Sequence, residues 1–246
     1  MKKLLLTFMA LAATMSIDAQ IVKVIKGEKM LGVFRASQIE KIIFEEDALP
    51  YGQGYADAKD VGYVKWVQLW EGGPKFAEYN VGVTDYKATS YGGYYTWGGT
   101  YKNEPDKKFI DDFNRTDDSK NLSGTDDTVT NLWGENWRMP TKEEFEALVN
   151  DENCTCTWVT QNGVNGMLFT GKKGTAFESN SVFFPAAGIL YDTSYEKKGH
   201  TGYYWSSTPY GSDGANLLIV ELDQKYLNEW ARNSALSVRA VLKEKR

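Results

Sequence analysis

The apolar positions of this chain fall into short runs separated by turn residues, a pattern of many brief strands rather than long helices. Ile21-Val22-Lys23-Val24-Ile25 is β-rich, residues 26–29 read as a turn, and residues 30–34 read as a return strand, which together predict a hairpin. Ser37 is placed to cap a short turn before an apolar extended pattern resumes at residues 42–44. A strap of this size, residues 20–46, cannot form a core of its own and must dock on something. Residues 47–58, with Pro50, Gly52 and Gly54, predict a linker, and the main domain spans residues 59–246. Within that domain, residues 63–69, 76–83, 91–97, 158–160, 167–170 and 182–184 carry the strand pattern. Residues 101–130 show neither period and hold the pairs Asp111-Asp112, Asp117-Asp118 and Asp126-Asp127, so a long surface loop is expected there.

One segment reads clearly as a helix. Thr141, just after Pro140, can accept from the backbone three residues on while Glu144 reaches back, and the carboxylates of Glu143 and Glu144 suit the positive end of the helix. Phe145, Leu148 and Val149 then share the face that packs inward.

Composition narrows the setting. At 42% hydrophobic and 25% charged residues the balance is globular, which excludes disorder of the whole chain. A net charge of −5 argues against a sequence-independent grip on nucleic acid, which needs a cationic surface. Lys2 and Lys3 precede an apolar run over residues 4–15, and Ala19 ends the segment with a small residue, so residues 1–19 are predicted to be a signal peptide cleaved before Gln20. That run falls short of the roughly 20 residues needed to span a bilayer, and no later segment approaches that length. The expected location is therefore the periplasm, the outer-membrane surface or the medium. Although export permits disulfides, Cys154 and Cys156 are separated by one residue and would close a small strained ring, so free thiols are predicted.

Trp137-Arg138-Met139-Pro140-Thr141, Phe184-Pro185-Ala186-Ala187-Gly188, Tyr204-Trp205-Ser206-Ser207 and Leu236-Ser237-Val238-Arg239-Ala240-Val241 occur in an order that resembles the FISUMP-type major paralogous domain. Asn80-Val81-Gly82 and Tyr94-Tyr95-Thr96-Trp97-Gly98 match its earlier landmarks, so the resemblance covers roughly residues 60–242. It implies an α+β, C-type lectin-like domain related to formylglycine-generating enzymes, with one or two helices against small antiparallel sheets and long loops. Trp137 and Trp205 are expected to fill the core while each indole N–H meets a loop carbonyl. Residues 237–241 alternate apolar and polar, as a closing strand with one buried face should.

Residues 205–241 also resemble the ligand-displaying region of target proteins diversified by retroelements, which share that fold. The run at residues 224–233 corresponds to the displayed segment of those proteins, and the candidate contacts in this C-terminal third are Tyr210, Asp213, Asn216, Tyr226, Asn228, Trp230 and Arg232, side chains that combine contact area with adaptable hydrogen bonding. Other chemistries find less support. His200 is the single histidine and stands between Gly199 and Thr201 with no local nucleophile, which argues against a hydrolytic triad or a zinc site. The late cysteine pair of the formylglycine-generating relatives is absent. Glu104-Pro105-Asp106 has no Trp-Asn-Asp partner of the kind sugar-binding lectins use for calcium, and the paired aspartates lack EF-hand spacing, so calcium is without a motif and no cofactor is expected. The expected function is an exported, non-enzymatic recognition domain for a glycan or protein ligand at the cell envelope. An assembly role using the β edge of the strap is the alternative. A polysaccharide hydrolase comes third, since no pair of carboxylates stands out for it.

Overall fold

The computed structural model describes residues 21–26, 29–35, 49–105, 107–112, 119–191 and 194–244. The predicted signal segment, residues 36–46 of the strap and the Asp117-Asp118 pair lie outside the described residues. Contacts divide the chain into two units, residues 1–45 and 46–246. In the first, β1 (Ile21–Lys26) pairs antiparallel with β2 (Lys29–Arg35), Ile21 opposite Arg35 and Lys26 opposite Lys29, with a register slip between Val24 and Ile25.

The second unit contains β3 (Gln53–Ala58), β4 (Gly62–Val67), β5 (Phe76–Asn80), α1 (Thr128–Trp133), β6 (Trp137–Arg138), α2 (Lys142–Val149), β7 (Cys154–Gln161), β8 (Val164–Gly171), β9 (Ser181–Pro185), β10 (Ile189–Tyr191), β11 (Ser194–Glu196), β12 (Thr201–Tyr210), β13 (Gly214–Glu221), β14 (Gln224–Ala231) and β15 (Arg239–Leu242). Their sheets run β3-β4-β5-β15-β6, β7-β8-β9, β12-β13-β14 and β10-β11. The expected α+β, C-type lectin-like class is corrected by this census: the chain is mostly β, 44% strand against 9% helical. The physical reason lies in the turns. Gly, Asn and Asp close hairpins between runs too short for helices, so the α-helices among the described residues are of six and eight residues, beside one 3-10 turn. Gln53–Ala58, within the stretch expected to be a linker, pairs along its length with β4, and Ala58 is buried.

The capped helix forms where the sequence places it. Thr141 Oγ1 accepts from Glu144 N at 3.3 Å, and Glu144 Oε2 accepts from Thr141 N at 2.8 Å. Arg138 then grips the same carboxylate with two hydrogen bonds of 2.6 Å. Phe145 and Leu148 are buried in a cluster with Phe76, Phe169, Phe184, Tyr204, Leu218 and Val220. A second cluster holds Trp97, Trp133, Trp137, Trp205, Leu217, Ile219 and Val238. Strand β13 separates the two: Leu217 and Ile219 face one, Leu218 and Val220 the other, which is why its sequence is an almost unbroken apolar run. Trp137 Nε1 donates to Asp57 O at 2.9 Å and Trp205 Nε1 to Tyr95 O at 3.0 Å, so both indoles are buried with a carbonyl partner. Cys154 and Cys156 are free and share one face of β7, Cys154 buried and Cys156 packed beside the same cluster.

Two expectations change here. Residues 237–241 are buried on both faces rather than having a wet side, because Val238 and Ala240 join one core cluster while Val241 joins the other and Arg239 lies against Phe184. The Asp-rich stretch is also partly interior: α1 rises from it, and Leu122, Asp127, Thr128 and Val129 are buried. Asp112 accepts from the backbone N–H groups of Thr100 and Tyr101 at 2.6 and 2.7 Å, so this carboxylate braces a turn. Asp127 caps α1 through Thr130 N at 2.9 Å and holds Met139 N at 2.9 Å.

Burial raises the Asp127 carboxyl from 3.8 to about 6, despite the backbone donors that oppose the shift. The folded state therefore holds this proton more tightly than the unfolded chain. Its contribution to stability is fully present below about pH 4 and is lost as the pH rises through 6, a change on the order of 2–3 kcal/mol. Urea melts of wild type and Asp127→Asn across that window should show wild type losing stability relative to the variant. A difference that stays flat with pH would mean that this carboxyl does not titrate there.

Candidate functional site

The sheet β12-β13-β14 ends in an edge strand, and the side chains of that strand divide by parity. On one side, Leu227 packs beside the cluster that includes α2, and Lys225 pairs with Asp151. On the other, Tyr226, Asn228 and Trp230 stand in line, continuing the rows of Ile219, Leu217 and Ala215 on β13. Tyr226 is 37% and Trp230 41% exposed, large rings left at the surface at the margin of a filled core. Tyr203 of β12 lies across Ile219 from Tyr226, and its ring centroid is 6.1 Å from that of Trp230.

Polar groups border this aromatic strip. Tyr226 Oη donates to Glu221 Oε1 at 3.4 Å. Burial, followed by the charge of Glu221 and its hydrogen bond, raises the Tyr226 phenol. The phenol of Tyr203 is likewise raised, mainly by burial and further by Glu221 and Glu196. Asn228 Oδ1 accepts from Glu229 N at 3.0 Å, which fixes the amide and leaves its NH₂ as the donor. A groove lined by Lys197, His200, Thr201, Glu221, Leu222, Asp223 and Gln224 adjoins the strip at Glu221. This is the place of the single histidine, exposed and in a turn.

The seven residues predicted from the sequence do not form one surface. Tyr226, Asn228 and Trp230 come together. Tyr210 is 53% exposed, but it sits beside Gly214 on the opposite side of the sheet from Trp230, and Asp213 lies in the turn between β12 and β13. Asn216 and Arg232 are corrected outright. Asn216 is buried, its amide donating to Pro209 O at 2.9 Å and Thr208 O at 3.3 Å across the bulge of β12. Arg232 is also buried: Nε donates to Gly214 O at 2.7 Å, Nη2 to Gly211 O at 2.9 Å, and the guanidinium lies 4.4 Å from the Trp97 ring centroid. It ties down the hairpin turn from beneath and offers nothing to a ligand. Sequence reasoning missed Tyr203 and Glu221, although the alternation Tyr203-Tyr204-Trp205 marks Tyr203 and Trp205 as sharing a face.

Among the described residues, no group of three or more His, Cys, Asp or Glu side chains is placed to hold a metal ion. No helix among them is long and apolar enough to cross a membrane.

Residues 158–241 match a family described as a domain of unknown function (DUF8237). The match runs from β7 to β15, so it takes in β12-β13-β14 and the aromatic strip and covers less than half of the chain. No curated protein and no solved structure matches the chain.

Proposed function

We propose that this chain is an exported, non-enzymatic recognition module that binds a glycan at the cell envelope through Tyr203, Tyr226, Asn228 and Trp230. The observation that carries the reading is the alignment of two exposed rings and an amide on one side of an edge strand whose opposite side packs inward through Leu227. Aromatic faces suit the C–H surface of a sugar, while Asn228 and Glu221 supply a donor and an acceptor for hydroxyls. A rigid strand also presents these groups with little ordering cost on binding.

A glycan array probed with the purified chain, followed by calorimetry on each hit, tests this reading. Trp230→Ala and Tyr226→Ala should each weaken binding by roughly tenfold or more. Their melting should change little, because both rings are substantially exposed. Unchanged affinity in both variants, or turnover of the glycan, would overturn the proposal.

The separate unit around β1 and β2 favours a second reading, an assembly component that adds this hairpin to a neighbour's sheet. It is a two-stranded sheet, marginal alone in water. Deleting residues 21–35 and measuring both assembly state and glycan binding separates the two roles.

A further inference from the structure

A second aromatic cluster lies outside the strip on β14. Lys198 follows β11 in a turn in which Lys197 takes φ 56° and Gly199 φ 81°. Its Nζ lies 4.0 Å from the ring centroid of Tyr195 and 4.8 Å from that of Tyr91. Tyr195 in turn packs on Tyr94 at 5.0 Å, and Tyr94 is anchored in the core by its hydroxyl, which donates to Ala187 O at 2.6 Å. The ammonium is thus held in place by rings that are themselves held. Lys198 is exposed, and Tyr195 is 37% exposed beside it.

Among the described residues no carboxylate lies within ion-pair distance of Lys198, as is also true of Lys75, Lys172, Lys173 and Lys197; its distinction is that two rings hold the ammonium. Burial holds its pKa below the usual lysine value. In a chain of net charge −5, a positioned cation with free N–H donors is a receptor for an anion.

We propose that Lys198, clasped between Tyr91 and Tyr195, anchors a second binding site that takes the carboxylate of an acidic sugar residue. One ammonium balances one carboxylate, which favours a uronate over a doubly charged phosphate. A uronic acid bears its carboxylate directly on a pyranose ring, so the sugar's C–H face can lie on the exposed part of Tyr195 while the charge meets Nζ. The site stands on different residues from the β14 strip and does not depend on the function proposed for it.

The test titrates trigalacturonic acid, its methyl ester and acetate into the full chain by calorimetry. The acid is expected to bind, with the neutral ester and Lys198→Met each weaker by roughly tenfold, the worth of one charge-assisted contact. Lys198→Arg should retain binding, which separates loss of charge from loss of fold. Tyr226→Ala with Trp230→Ala should leave this binding intact. Equal binding of acid and ester, unchanged affinity in Lys198→Met, or loss only in the β14 variants would overturn the proposal. Acetate competing equally at matched carboxylate concentration would overturn the role of the sugar ring.

Discussion

Arg239→Met is expected to cost on the order of 4 kcal/mol of folding stability, enough to unfold a marginal domain. Arg239 is fully buried, and its guanidinium donates to Asn80 Oδ1 at 2.9 Å, to the carbonyls of Ala77 and Glu78 at 2.9 Å each, and to Phe183 O at 2.8 Å. These acceptors come from β5 and β9, strands of different sheets, so one side chain joins them. It also lies 4.6 Å from the Phe184 ring centroid, and burial lowers its pKa to about 10, which leaves it charged at neutral pH. Methionine fills much of the volume but leaves three carbonyls and an amide oxygen in the interior without these donors, and that asymmetry makes the loss large. Arg239→Lys should recover only part of it, because an ammonium cannot reach in the several directions of a planar fork. Urea melts followed by circular dichroism are the measurement. A loss below about 1 kcal/mol in Arg239→Met would show that the carbonyls find other partners.

Trp205→Ala is expected to cost roughly 3–5 kcal/mol, the range for emptying a large aromatic site in a packed core. The indole is completely buried among Trp97, Leu217 and Leu236, and its removal takes away one of the two donors of Tyr95 O, which keeps Leu236 N at 3.0 Å. Trp205→Phe restores most of the volume but not the donor, and with Tyr95 O still held by Leu236 N it should lose only about 1 kcal/mol. The same melts on both variants separate cavity from hydrogen bond. Equal losses would assign the whole effect to the missing donor.

What could be read from the sequence follows the range of the interaction. The α2 cap depends on Thr141 and Glu144, three residues apart, and a local rule found it. The buried roles of Trp137 and Trp205 were legible from their bulk and from the need to pair an indole N–H. Arg239 and Ser237 looked like the wet side of a strand because their polarity alternates with Val238 and Ala240. The acceptors that make Arg239 an interior residue lie at positions 77, 78, 80 and 183, and no local pattern announces them. Arg232 and Asn216 were misplaced for the same reason, since each is satisfied by turn and bulge carbonyls that exist only once the hairpin forms. Tyr226 and Trp230 were chosen on the resemblance and on the contact area that large rings offer, and both stand at the surface, whereas Tyr203 reaches them only through the register of three paired strands. The mostly β character was visible in the short runs, and the α+β class came from the family resemblance rather than from the pattern along the chain.

The placement of β15 has a consequence for how the protein is made. It is the last strand in chain order, yet it sits between β5 and β6, and neither of those touches the other without it. A ribosome therefore delivers both neighbours before the piece that unites them, and the nascent chain carries an open seam until β15 has emerged. Until β15 pairs, the sheet stays in two parts, β3-β4-β5 on one side and β6 on the other.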